Sequence, residues 1–452
     1  MARSNITDFT RGGITRHLIT FAAPLFLSNL LQIVYNMADM VIVGQTLGKV
    51  GLSAVSIGGD VTHFLMFLSM GFAGAGQVII AQYIGAGARD KLARFIGTML
   101  TFLLLCSLCL GFICLFFRSE MLSLMHTPPE AFDDALDYLT WTLCGLAFTY
   151  GYNALSAILR GMGDSVRPFL FISVSVFLNI LLDLAFVVWL GFGSAGAAAA
   201  TVMSQGTSFL LSAAYIMRYK SRYALESAGL RDLRIDRGML ADLVKLGVPM
   251  AIKAGSVHFS KLIVNSWINS YGIAVSAFAG VANKIVSTSI LAAAAFSTAG
   301  ATMVGQNIGA GKFDRVSGTV IAVYKVTMTA AAALSILLWL FPEPVFRCFT
   351  DDPEVIAVGL GYVPIGILVF IGSSARSGMN ALINGSGNYS MNFINAILDG
   401  IVMRLGLAFF FGISLGMRHT GFWLGDAVAG FTPFAVGMIF WMSGSWKKTR
   451  RV

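Results

Sequence analysis

The sequence predicts an all-α polytopic membrane protein, with twelve transmembrane helices in two pseudo-symmetric six-helix lobes around a central cavity. Three observations support this fold class: an apolar composition, a series of membrane-length apolar stretches and an internal repeat. Of 452 residues, 56% are hydrophobic and only 12% are charged, about half the roughly 25% charged residues of a typical soluble domain. The mean hydropathy is +0.77. A soluble protein would lack the surface charge to stay dispersed, so soluble folds are excluded.

Twelve apolar stretches are long enough to cross a hydrocarbon core of about 30 Å, which needs about 20 helical residues. No stretch alternates as a barrel strand would, and helices satisfy their own backbone groups within lipid. The predicted spans are 18–45, 53–80, 95–117, 135–158, 168–190, 195–217, 243–269, 273–300, 318–341, 356–383, 390–412 and 419–443.

The distribution of basic residues predicts the orientation of these spans. Of 31 Lys and Arg residues, 21 fall in the two termini and the even-numbered connections, and four fall in the odd-numbered connections. Cytoplasmic loops carry the excess of basic residues. Both termini and the central loop are therefore predicted to be cytoplasmic, in a multi-pass protein of the cell (inner) membrane.

An internal repeat divides the chain into two halves. Residues 82–87 (QYIGAG) recur as residues 306–311 (QNIGAG), and residues 160–164 (RGMGD) align with 384–388 (NGSGN), both at a shift of 224; Pro24 aligns with Pro249 at a shift of 225. Six helices per repeat place both halves in the same direction across the membrane. The predicted division is an N-terminal lobe at 1–218, a cytoplasmic linker at 219–242 and a C-terminal lobe at 243–452.

Polar residues within the spans mark candidate functional sites, because they are costly in lipid. Asn29, Gln32, Asn36 and Asp39 follow one another at steps of three, four and three, so they share one face of the first helix. This face is predicted to line a cavity.

The fifth span repeats the pattern. Ser175, Asn179 and Asp183 are spaced by four residues, and Thr201 lies early in the sixth span. With Asp39 these side chains offer two carboxylates, a carboxamide and a hydroxyl, an oxygen-rich set suited to a hard cation or a shared proton. The predicted ion-binding residues are Asp39, Asn179, Asp183 and Thr201. The alternative for such residues is interhelical hydrogen bonding.

The C-terminal half carries basic rather than acidic residues in its spans. Lys253 snorkelling to the interface, and Asp399 pairing with Arg404 or a lysine, would account for some of them. The remainder indicates an anionic or zwitterionic substrate group. The candidate substrate-cavity residues of both halves are Asn29, Gln32, Asn36, Lys261, Lys284, Arg376, Asp399 and Arg404.

These motifs together resemble the multidrug and toxic compound extrusion (MATE) family. The resemblance is carried by Asp39 within residues 36–44, by the two Gln-x-x-Gly-Ala-Gly elements and by residues 160–164 before Pro168. It implies an antiporter that exchanges protons or sodium for organic molecules by alternating access. It also implies that Asp39, Asn179, Asp183 and Thr201 bind the ion, and that the usual substrates are lipophilic cations. Some members use acidic residues on the seventh helix, where this chain has Lys253 and Lys261.

The predicted function is ion-coupled export of organic small molecules, such as drugs, by a protein that is not an enzyme. No Gly-rich element is followed by the Lys and Ser or Thr of a phosphate loop, so no ATP-hydrolysing motor is predicted. The coupling ion is H⁺ or Na⁺, with no other cofactor or metal. The predicted partners are a small organic substrate, cationic by family or anionic or zwitterionic by the basic half, and the bilayer, with no nucleic acid and a monomeric state.

Three alternatives remain beside the antiporter. One is a flippase for a lipid-linked anionic sugar or phosphate, which the basic half would suit. Another is an intramembrane transferase that uses Asp60 and His63 of the second span. The last is a passive channel, which fits a two-lobe repeat poorly.

Overall fold

The computed structural model describes residues 6–223, 225 and 233–448, so residues 224 and 226–232 of the predicted linker lie outside the described residues. The described chain is helical throughout its membrane-length segments, which confirms the all-α prediction. Eight continuous helices in these ranges are long and apolar enough to cross a membrane.

Twelve membrane-length segments result when breaks inside the helices are taken into account. The helix Ile14–Ala86 is interrupted at Gly48, where φ is +64°, so it supplies two spans. A span at 129–161 consists of the helices Pro129–Cys144 and Leu146–Gly161. Two further helices, Gly193–Arg218 and Arg237–Asn269, have the length but a less apolar composition.

We number the twelve segments in chain order. They are α1 (14–47), α2 (49–86), α3 (Arg89–Phe116), α4 (129–161), α5 (Val166–Trp189), α6 (Gly193–Arg218), α7 (Arg237–Asn269), α8 (Ile273–Gly309), α9 (Phe313–Leu340), α10 (Pro353–Ser386), α11 (Tyr389–Ser414) and α12 (Arg418–Met442). Short helices at Arg118–Leu124, Lys220–Tyr223, Pro342–Arg347 and Ser445–Lys448 lie between or after them. Most helices extend beyond the predicted apolar spans. The hydropathy pattern marks only the apolar part of a helix, and the polar residues at its ends are also helical.

The chain forms two compact units. Of the described residues, those within 1–7 and 27–247 form unit 1, and those within 8–26 and 248–452 form unit 2. These units differ from the predicted lobes at two ends, since residues 8–26 belong to unit 2 and residues 243–247 belong to unit 1. Both changes of unit fall close to a repeat-related proline, Pro24 in α1 and Pro249 in α7. The described α1 keeps helical dihedral angles through Pro24.

Polar contacts explain why the start of the chain belongs to unit 2. The backbone N–H of Phe9 donates to Gln306 Oε1 at 3.0 Å, and Lys312 Nζ donates to the carbonyl of Thr10 at 2.9 Å. Arg315 Nη2 donates to three carbonyl groups between residues 9 and 12, at 3.0 to 3.1 Å. The repeated Gln element at the end of α8 therefore holds the segment that precedes α1.

A corresponding contact in unit 1 holds the segment that precedes α7. Thr98 Oγ1 donates to the carbonyl of Arg234 at 3.1 Å and accepts from the backbone N–H of Asp236 at 3.1 Å. Arg94 lies 3.9 Å from the Asp236 carboxylate. The segment before α1 is thus held by side chains near the end of α8 and the start of α9, and the segment before α7 by side chains near the start of α3.

The repeated glycines mark a close helix crossing in each unit. A Cβ on Gly161 of α4 would lie 2.8 Å from the carbonyl oxygen of Gln77 in α2, and one on Gly385 of α10 would lie 2.5 Å from that of Ala301 in α8. Both the glycines and their neighbours are related by the shift of 224. The internal repeat of the sequence therefore corresponds to one repeated packing geometry.

We predict that Gly161→Ala and Gly385→Ala each lower the free energy of unfolding by about 1 to 3 kcal/mol, the usual cost of overpacking. Gly406→Ala is the matched control, because Gly406 is helical and a Cβ added to it would have no heavy atom within 4 Å. It should be neutral or slightly stabilising. Thermal unfolding in detergent measures the difference, and equal midpoints for the three variants would contradict the crossing.

Candidate functional site

Unit 1 contains a cavity of about 380 Å³ that is lined by both polar and apolar side chains. Residues of α1, α2, α4, α5 and α6 line it, so five helices of one unit contribute. Gln32, Asn36 and Asp39 of α1 all line the cavity, which agrees with their prediction as one helical face. Asn29 is on the same helix but is not among the lining residues, since it lies just after α1 passes into unit 1 at Leu27. The face therefore lines the cavity over two of its turns rather than three.

Three of the four predicted ion-binding residues, Asp39, Asn179 and Thr201, line this cavity. Asp183 follows Asn179 by one helical turn on α5 and is fully buried. The Asp39 and Asp183 carboxyl groups are close enough to repel each other electrostatically. The structure therefore brings the four residues to one region of unit 1. Their role as ion ligands stays a prediction.

Several polar atoms of this group have no hydrogen-bond partner within the described residues. They are Asp39 Oδ1, both oxygens of Asp183, and both Oδ1 and Nδ2 of Asn179. Thr201 Oγ1 is paired, because it lies 3.2 Å from the hydroxyl of Tyr35. Buried polar atoms are nearly always paired, and an unpaired buried carboxylate is costly. A cation or a proton would satisfy these oxygens.

Tyr35 and Tyr138 belong to the same site but were missed from the sequence. Both line the cavity, and both interact electrostatically with Asp39 and Asp183. Tyr35 precedes Asp39 by four residues and could have been found on the polar face of α1. Tyr138 comes from α4, where no pattern in the sequence indicates the cavity.

Unit 2 contains a network of buried ion pairs rather than a carboxylate cluster. Asp399 Oδ2 accepts from Arg376 Nη2 at 2.6 Å, and its Oδ1 accepts from Arg404 Nη2 at 3.1 Å. Arg404 also donates to Asp426 through Nη1. Asp399 is fully buried and the Arg404 side chain is 2% exposed. The predicted pairing of Asp399 with Arg404 is present, and Arg376 joins it.

Asp426 is the functional candidate that sequence reasoning missed in this half. It is the single acidic residue of α12, and an isolated intramembrane carboxylate is itself a signal. Its partner, Arg404, comes from α11, so the pair depends on helix packing.

The intramembrane lysines of unit 2 are placed differently from one another. Lys253 Nζ donates to Asn380 Oδ1 at 2.6 Å, and snorkelling of this lysine to the interface stays a prediction. Lys261 interacts electrostatically with Asp426, Arg404 and Arg376. Lys284, predicted for the same cavity, is exposed and is not part of this network. Lys253, Lys261, Arg376 and Arg404 are therefore the basic residues that the packing gathers near Asp399.

The family assignment rests on one family model that matches the chain twice, once in each half. A family model described as MatE matches residues 24–185 and again residues 249–410, which together exceed half of the chain. The chain belongs to the multidrug and toxic compound extrusion (MatE) family. The two matched ranges begin at Pro24 and Pro249, one in each half of the chain, and the predicted resemblance is confirmed.

Individual MatE-family relatives match over nearly the whole length. The chain is 27% identical over 442 residues to the probable multidrug resistance protein YpnP of Bacillus subtilis, covering 97% of each chain. It is 28% identical over 460 residues to the probable multidrug resistance protein NorM of Thermotoga maritima, covering 96% of this chain and 94% of that one. A solved structure described as the outward-facing conformation of a multidrug resistance MATE family transporter has the same fold, with a TM-score of 0.89 and 23% identity over all of both chains. The twelve-helix fold is thereby confirmed.

Proposed function

We propose that this MatE-family protein is an ion-coupled secondary antiporter that exports organic small molecules by alternating access. It acts as a monomer in the cell (inner) membrane, with both termini on the cytoplasmic side, and H⁺ or Na⁺ is its coupling ion. The probable multidrug resistance proteins among its relatives support organic molecules as substrates.

The observation that carries this proposal is the group of unpaired polar atoms on Asp39, Asn179 and Asp183. A group that only stabilised helix packing would have its hydrogen bonds made within the protein. Two carboxylates and a carboxamide beside a cavity instead suit a small hard cation or a proton that enters and leaves. Asp39 is the most accessible of the three, with 9% exposure, so it is the first residue that the ion reaches.

The membrane potential supplies enough energy for this exchange. A transport cycle that moves one net charge across 100 mV releases about 2.3 kcal/mol, which supports a substrate gradient of about fifty-fold. No ATP-hydrolysing motif is needed for accumulation of that size.

The test uses purified protein in liposomes and two fluorescent probes, the cation ethidium and the anion 4-methylumbelliferyl phosphate. We expect an imposed proton or sodium gradient to drive at least one probe against its own gradient, and the effective gradient identifies the ion. If neither gradient drives either probe, while both leak at the rate of empty liposomes, the antiporter proposal is wrong.

The second candidate is a flippase for a lipid-linked anionic sugar or phosphate. It is favoured by the excess of basic side chains in unit 2, where Lys253 and Lys261 have no carboxylate partner at hydrogen-bond distance in the described chain. A flippase would move a fluorescent lipid-linked phosphate between leaflets, and its deletion would impair cell-envelope synthesis. An antiporter would do neither.

A further inference from the structure

The intramembrane network of unit 2 carries more positive than negative charge. Its six ionisable members are Lys253, Lys261, Arg376, Arg404, Asp399 and Asp426. Both carboxylates form ion pairs with arginines. Asp399 pairs with Arg376 and Arg404, and Asp426 pairs with Arg404. Two positive charges, those of the lysines, therefore have no partner of opposite charge in direct contact.

The two lysines are held within a membrane-spanning helix without such a partner. Lys253 has only the neutral amide of Asn380, whose Oδ1 also accepts from Asn395 Nδ2 at 3.2 Å. Lys261 makes no hydrogen bond or ion pair with the described residues. A charge in a low-dielectric region costs several kcal/mol unless it is paired. This excess charge calls for a counter-ion from outside the protein.

The basic groups differ in accessibility. Asp399 and Arg404 are buried, whereas the Arg376 side chain is 23% exposed and the two lysines are only partly buried. Arg376 contacts Asp399 through Nη2, and a guanidinium has five N–H donors. It can therefore bind a second anion while it keeps Asp399.

Helix geometry fixes the inner part of the network. Asp399 lies in a π-helical turn, Leu398–Val402, and such turns occur frequently at functional sites. Ser260 Oγ of α7 donates to the carbonyl of Gly400 in this turn. The turn therefore holds Asp399 against α7, the helix that carries both lysines.

We propose that Lys253, Lys261 and Arg376 form a binding site for the doubly charged phosphate group of an organic molecule. Two excess positive charges match two negative charges, and ammonium and guanidinium donors suit phosphate oxygens. Arg404 is a positioning residue that pairs with both Asp399 and Asp426. The inference rests on the proposed transport function, because it names a substrate class for it.

Direct binding tests the charge requirement. The probes are 4-methylumbelliferyl phosphate, its sulfate and the parent phenol, with the protein in phosphatidylcholine nanodiscs at pH 7, where a phosphate monoester is mostly doubly charged. We expect the phosphate to bind at least about tenfold more tightly than the singly charged sulfate, which corresponds to about 1.4 kcal/mol. Equal affinity for the phosphate and the sulfate would overturn the proposal.

Substitutions test the residues. Lys261→Gln should weaken phosphate binding at least about tenfold, while Lys261→Arg retains it and Lys325→Gln, an exposed lysine of α9, leaves it unchanged. Asp399→Asn should tighten binding, because it frees Arg376 and raises the excess charge. A misfolded variant cannot gain affinity, so this substitution separates the site from a folding effect. Unchanged binding in Lys261→Gln, or weaker binding in Asp399→Asn, contradicts the site.

The phosphate can belong to a water-soluble molecule or to a lipid, and nanodiscs containing phosphatidic acid distinguish the two. Displacement of the probe by phosphatidic acid identifies a lipid headgroup, and retention identifies a soluble molecule; either result supports the site. Failure of this inference is separable from failure of the proposed function. Ion-driven ethidium transport without phosphate binding overturns only the anion site, and phosphate binding without ion-driven transport overturns only the antiporter.

Discussion

The Asp39→Asn variant is expected to lose ion-driven accumulation of substrate, so that a gradient of up to about fifty-fold falls to the level of empty liposomes. Asn keeps the size of Asp39 but removes its negative charge. Asp39 lies at the cavity and has one unpaired oxygen, so the charge itself is what an incoming ion would meet. Uptake of the two fluorescent probes into liposomes, with a proton or sodium gradient imposed, measures the effect.

Asp183→Asn should also abolish ion-driven accumulation of substrate, although Asp183 is more deeply buried than Asp39. Both oxygens of Asp183 are buried and unpaired in the described structure, and Asp39 repels its charge. Asp133→Asn is the matched control, because this exposed residue of α4 is absent from the cavity lining. The ion assignment fails if Asp39→Asn and Asp183→Asn both accumulate substrate as Asp133→Asn does.

The fold could be predicted from the sequence because its signals are local. The length of an apolar stretch predicts a span, and the motifs repeated at a shift of 224 divide the chain into two equivalent halves without knowledge of the helix packing. The four-residue step between Asn179 and Asp183 likewise places both on one face before any packing is known. The entry segments were not predictable in this way. Their assignment to a unit depends on contacts such as Phe9 with Gln306, between residues nearly 300 positions apart.

The candidate sites show the same limit. The polar face of α1 is periodic, so Gln32, Asn36 and Asp39 could be grouped correctly. Lys284 and Lys261 are both basic and lie in predicted spans, so the sequence does not distinguish them. In the structure Lys284 is exposed, whereas Lys261 is partly buried. Asp426 was missed because its role comes from Arg404 on another helix. Charge alone does not indicate which neighbours a residue meets.

Arg404 should be the most stability-sensitive residue of unit 2. Its buried guanidinium bridges Asp399 and Asp426, which come from α11 and α12. Arg404→Met would leave Asp399 with Arg376 as its remaining ion-pair partner and remove the arginine paired with Asp426. Removal of one partner from a buried ion pair costs about 3 to 5 kcal/mol. Thermal or denaturant unfolding in detergent should show a loss of this size.

Two comparisons separate the buried network from ion pairing in general. Arg347→Met breaks the exposed Arg347–Glu343 pair, in which both side chains are more than half exposed, and such pairs contribute at most about 1 kcal/mol. Neutralising Asp426 alone in the Arg404→Met background should recover part of the lost stability, because Asp399 keeps Arg376 and no carboxylate is left without an arginine partner. Arg404→Met with the same stability as Arg347→Met would mean that water reaches the network. In that case the excess charge on Lys253 and Lys261 would be hydrated and would not require an anion, so this stability measurement also bears on the proposed phosphate site.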